Sequence, residues 1–77
     1  MRTIEFKGVK VEYDEKLPHS WKWQKKLASG NSAAGIAAIE ELLLGKDEEV
    51  ADALGGEMET MGELVAAIVD ANDKAKN

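Results

Sequence analysis

One histidine, His19, stands beside Ser20, and the chain has no cysteine. A Ser–His pair becomes a nucleophilic catalyst only when the imidazole reaches the hydroxyl and a third group orients the imidazole. Neighbours in sequence do not supply that geometry, and no orienting acid is evident, so His19 reads as a turn histidine. Gly45-Lys46-Asp47 lacks the upstream glycine and the Ser/Thr of a phosphate-binding loop. Asp47-Glu48-Glu49 and the acids from Glu57 to Glu63 lack calcium-loop spacing. Thiolate ligands for zinc are missing altogether. No pair of carboxylates sits in an apolar stretch that would drive their pKa values apart. The residues point to a protein that is no enzyme and uses no cofactor or metal.

Trp21-Lys22-Trp23-Gln24-Lys25-Lys26 is the one segment suited to nucleic acid, with aromatics to stack on bases and lysines to neutralise phosphates. A plainer account competes with it. Lys25 and Lys26 sit near a helix C-terminus, where cations are favoured. One tryptophan is needed to fill a core poor in aromatics, and the other is left as an anchor for a protein contact. Charge weighs the same way. Residues 1–26 carry seven Lys/Arg against four Asp/Glu, a net +3, whereas residues 27–77 carry three lysines against eleven acids, a net −8. The acidic remainder argues against nucleic acid. The split is ordinary for solvated helix faces, and it also suits steering of a charged partner or head-to-tail self-association.

Seventy-seven residues make one domain, 1–77. A chain of this length buries only ~60–65% of the surface its unfolded form exposes, so stability is marginal. The first residues, Met1-Arg2-Thr3-Ile4-Glu5-Phe6-Lys7, lack the apolar core of a signal peptide. No apolar run nears the ~20 residues of a membrane span. The expectation is a soluble cytoplasmic protein without membrane contact.

The elements that must position these residues make an α+β domain, a hairpin followed by three to four helices. Ile4 and Phe6, then Val9, Val11 and Tyr13, alternate with polar residues at the period of half-buried strands. A two-residue Lys7-Gly8 turn pairs Phe6 with Val9, Ile4 with Val11 and Arg2 with Tyr13, placing every apolar residue on one face. It also sets Glu5 opposite Lys10. A loop one residue longer would set apolar residues against charges. The hairpin therefore spans about 2–13. The first helix spans about 18–29, starting at Pro18 or capped by Ser20, with Gly30 as its stop. The second spans about 33–44, capped by Asn31 or Ser32 and ended by Gly45, with Ile36, Ile39 and Leu43 as its main stripe, widened by Ala38 and Leu42. The third spans about 48–54, capped by Asp47 and ended by Gly55-Gly56. The fourth spans about 58–72, with Met58, Met61, Leu64, Val65 and Ile68 on one face. Residues 73–77 are expected to fray. The two methionines suit a core and also an adaptable binding surface.

Taken in order, several segments carry a family likeness. They are Thr3-Ile4-Glu5-Phe6-Lys7-Gly8, the run from Ser20 to Gly30, Leu42-Leu43-Leu44-Gly45-Lys46-Asp47-Glu48-Glu49, Asp52-Ala53-Leu54-Gly55-Gly56 and Met61-Gly62-Glu63-Leu64. Together they resemble the small tail assembly chaperones encoded by long-tailed phages and prophages of Gram-positive bacteria. The likeness covers most of the chain, and its motifs are structural rather than catalytic. It implies a protein of the bacterial host cytoplasm that binds the tape measure protein, keeps it soluble, helps recruit tail tube subunits and is absent from the finished virion. Many such proteins also exist in a longer, frameshifted form.

A long helical partner suggests a helix-in-groove contact. The partner-binding residues expected here are Trp21, Lys22, Trp23 and Lys26 on the first helix and Met58 and Met61 on the last. Replacing Trp23 with alanine is then expected to weaken capture more than it lowers the melting temperature. Two other classes compete. One is a small acidic regulator or inhibitor, antitoxin-like, that covers a basic partner; the other is a nucleic-acid module built on the lysine helix. Self-association through a free hairpin edge is also open.

Overall fold

The computed structural model describes the backbone of residues 1–76 and the side chains of residues 1–73. Two strands, β1 (Arg2–Phe6) and β2 (Val9–Tyr13), form an antiparallel hairpin. A 3-10 turn over Leu17–His19 leads to four helices: α1 (Trp21–Ala28), α2 (Ser32–Leu42), α3 (Asp47–Ala53) and α4 (Met58–Lys76). The fold is α+β, as the alternation and helical spacing predict.

The hairpin register is the expected one, with Arg2 opposite Tyr13, Ile4 opposite Val11 and Phe6 opposite Val9. Lys7 and Gly8 both have positive φ (50° and 82°), which a type I′ turn requires. Val11 and Tyr13 are fully buried, and Ile4, Phe6 and Val9 pack against the same core. A lone hairpin is barely stable in water. Here α4 lies against β1 and α3 against β2, and the Asp14 amide donates to the Leu42 carbonyl (3.0 Å), tying the strand end to the end of α2.

The helix starts follow local chemistry. Ser20 caps α1 by accepting from the Trp23 amide, and Asn31 caps α2 by accepting from the Ala34 amide. The expected first helix over 18–29 is therefore two pieces, because Ser20 is extended and breaks the chain between the 3-10 turn and α1. Asp47 is the first residue of α3 rather than its cap. Lys46 holds the cap position without a side-chain bond, while Asp47, Glu48 and Glu49 place three carboxylates in the first turn, where the helix dipole favours them.

Two helix ends share a Schellman pattern with different residues. At the end of α3, Gly56 N–H donates to Ala51 and Gly55 N–H to Asp52, with Gly55 at positive φ. At the end of α2, Gly45 N–H donates to Glu40 and Leu44 N–H to Glu41, so Leu44 takes the left-handed position (φ 59°) that glycine usually fills. This stops α2 at Leu42, two residues before the expected end. In contrast, α4 continues to Lys76 instead of ending near 72. The expected fraying of 73–77 falls partly outside the described residues.

One cluster of buried residues holds the layers together: Val11 and Tyr13 from the hairpin, Trp23 from α1, Ala38, Leu42 and Leu43 from the α2 region, and Leu64, Val65 and Ile68 from α4. The buried α2 face is the expected stripe turned toward its widened side, and Ile36 alone falls outside it. Ala38 and Leu42, four apart, point inward, Ile39 is half-buried, and Ile36 is 51% exposed. The small Ala38 lets the Trp23 indole close on the helix backbone, which turns Ile36 outward.

Candidate protein-docking groove

The six residues expected to bind a partner fall into different environments. Trp23 is 2% exposed, and its Nε1 donates to the Ala38 carbonyl at 2.9 Å. It is a core residue, which corrects its assignment to the contact surface. The physical cause is the Ser20 cap. That cap starts the helix at Trp21, so Trp23 faces α2 and Trp21, two positions earlier, points away. Trp21 is 77% exposed, with Lys22 and Lys25 exposed beside it. Lys26 is half-buried and pairs with Glu41 of α2, so its charge is already answered within the chain. Lys22, Trp23, Lys26 and Glu41 line one shallow hollow between α1 and α2.

Met58 and Met61 line a different one. A groove of about 180 Å³ lies between α2, α3 and the start of α4, walled by Ile36, Ile39, Ala51, Met58 and Met61. Met58 is 73% exposed, whereas Met61 is half-buried and reaches the core. The helical stripe that begins at Met58 joins the core only from Met61 onward, because the first turn of α4 overhangs the space between α2 and α3. Ile36, Ile39 and Met58 also wall an adjoining hollow beside Leu27 and Gly30, so the apolar surface continues towards the end of α1. Asp47, Glu48 and Glu57 stand on the groove's rim. Among the described residues, no lysine or arginine pairs with these three carboxylates.

The groove residues that spacing does not single out as contacts are Ile36, Ile39, Ala51 and the three rim acids. Ile36 stands three before Ile39 and seven before Leu43, so spacing places it on the buried stripe. Only the preference of Trp23 for the Ala38 side reveals the rotation, and that preference is tertiary.

A second unexpected feature lies at the other end of α4. Asn72 is 3% exposed, and the Tyr13 hydroxyl donates to its Oδ1 (3.5 Å). Asn72 Nδ2 donates to the Glu15 carbonyl (3.3 Å) and lies 2.8 Å from His19 Nε2. His19 is thus part of a polar clasp between the 3-10 turn and α4, and Ser20 is occupied in capping α1. Burial pushes the Tyr13 phenol above its ordinary range, with Glu15 adding to the rise and Arg2 opposing it.

Among the described residues, no three His, Asp or Glu side chains come together as a metal site, and no helix is long and apolar enough to cross a membrane. Comparison with known proteins finds no matching family model, no similar curated protein and no similar solved structure.

Proposed function

We propose that this chain is a non-catalytic protein-binding module that works as a tail assembly chaperone. In this reading it holds the tape measure protein in soluble form in the bacterial cytoplasm and helps bring tail tube subunits to it. The observation that carries the proposal is the exposure of Ile36 and Met58 on either side of the groove, in a chain whose other large apolar residues mostly pack into one core. A continuous apolar groove rimmed by charged residues supports a contact surface better than the same residues scattered singly would. Methionine adapts to varied partners at low cost, as a holder of a long helical protein requires. The contact residues are Met58, Met61 and Ile36, with Trp21 as a separate anchor. Lys22 borders it, and Lys26 serves the α1–α2 ion pair.

The test is co-expression with the tape measure protein encoded nearest this gene. Wild type is expected to keep that protein in the soluble fraction and to copurify with it. Met58→Asp is expected to lose both effects while melting at the wild-type temperature, since surface changes usually shift stability by within about 0.5 kcal/mol. Capture unaffected by Met58→Asp and Ile36→Glu would move the contact elsewhere. A tape measure protein that stays insoluble with wild type would remove the chaperone reading in favour of an acidic regulator.

A further inference from the structure

The groove and α1 are complementary in both shape and charge. Trp21 projects from α1 with Lys22 next to it and Lys25 one turn along the same face. Neither lysine pairs with an acid among the described residues. The groove has the opposite character, apolar walls with Asp47, Glu48 and Glu57 around them, none paired with a cation among the described residues. Trp21 lies outside the groove of its own chain. The molecule therefore displays an aromatic knob flanked by two cations, and a hollow flanked by three carboxylates, all five without an ion-pair partner among the described residues.

We propose that in the free protein the groove is occupied by Trp21 of a second copy of this chain. The indole would lie against Ile36 and Met58 while Lys22 and Lys25 face the acidic rim. Burial of one large aromatic supplies the attraction, and the charges set the orientation and disfavour pairing of like surfaces. The contact is heterologous: each copy that donates its knob keeps a vacant groove, so assembly continues head to tail beyond the dimer. The area is far smaller than the roughly 1,000 Å² expected of a stable interface, so association is weak, in the range of about 0.1–1 mM. This inference does not rest on the chaperone reading. It adds that any partner using the groove must displace a neighbouring copy.

Sedimentation velocity on the full chain tests it, from about 10 µM to about 1 mM at low ionic strength. The mean mass is expected to rise with concentration and to pass that of a dimer. Trp21→Ala and Met58→Asp should each weaken association at least about ten-fold. Both sites are on the surface, and matched melting temperatures would show that the variants fold; Ile36→Glu replaces Met58→Asp if that variant melts early. The decisive sample mixes Trp21→Ala with Met58→Asp. One brings an intact groove and the other an intact knob, so the mixture should form a one-to-one dimer that grows no further. Lys22→Glu with Lys25→Glu, or added salt, should weaken the wild-type association.

A wild type that remains monomeric throughout overturns the proposal. So does association that Trp21→Ala leaves unchanged, which would point to another surface such as the hairpin edge, and so does a mixture that stays monomeric. Capture of the tape measure protein by a strictly monomeric chain would sink this inference and leave the proposed function standing.

Discussion

The indole of Trp23 donates to the carbonyl of Ala38 at 2.9 Å, joining α1 to the middle of α2 through one buried hydrogen bond. An indole N–H inside a core needs an acceptor, and a helix carbonyl beside an alanine is accessible to it. This contact fixes how α1 lies on α2, and through it which face of each helix is left to the outside.

Trp23→Ala should remove more stability than a domain this small can spare. Truncating a buried tryptophan costs about 3–5 kcal/mol, and domains of this size begin from a narrow margin. The variant is expected to be largely unfolded at 37 °C by circular dichroism. Trp23→Phe, which keeps most of the buried area and loses the hydrogen bond, should fold with a lower melting temperature. If Trp23→Ala melts like wild type, Trp23 is not part of the core.

Stability should fall in alkali for a reason traceable to one residue. The folded phenol of Tyr13 titrates above its ordinary range because burial opposes the phenolate. A raised folded pKa contributes stability that is fully present below the unfolded value of about 10 and is lost as pH rises through the folded value. Melting curves for wild type and Tyr13→Phe from pH 7 to above pH 10 should show wild type losing stability faster than the variant at the alkaline end. Parallel curves would mean that the phenol is free to ionise in the fold.

Lys7→Asn is expected to stabilise the protein. Lys7 adopts φ 50° in the hairpin turn, a region that asparagine tolerates better than lysine, and Asn-Gly is the preferred type I′ pair. The substitution also removes the Lys7–Glu63 ion pair (3.5 Å). That pair is more than half exposed on both sides and is screened by salt, so the turn term should win. A gain on the order of 0.5 kcal/mol would raise the melting temperature by about 2–4 °C. A lower melting temperature in both low and high salt would show that the left-handed turn is not strained by lysine.

The hairpin was fully legible in the sequence, including its register, because period-two alternation and the Lys7-Gly8 turn give the same pairing independently. The α+β class and the four helical segments were legible from glycine stops and capping residues. What could not be read was rotation about a helix axis. The α2 sequence, rich in alanine and aliphatics, offers several nearly equal apolar faces, and only contact with Trp23 selects the Ala38–Leu42 side. The same limit applied to the tryptophans: a core poor in aromatics calls for one of them without deciding which. Met58 and Met61 stand out in the sequence by type and spacing, and they line one groove, but the acids that frame it come from α3 and from the residue before α4. Asn72 stands at the expected end of the last helix, where the chain is expected to start fraying. Yet it stands four residues after Ile68, in phase with the apolar stripe of that helix, and its burial depends on Tyr13, Glu15 and His19, which are distant in sequence.

The divergence of the two tryptophans also makes the molecule its own reporter. Trp23, sealed from water, should emit to the blue and resist acrylamide quenching for as long as the chain is folded. Trp21, standing in solvent, should emit to the red and be quenched freely until something covers it. Unfolding and occupation of the outer indole therefore give spectral changes of opposite sign in unlabelled protein, and the two events can be followed side by side in one cuvette.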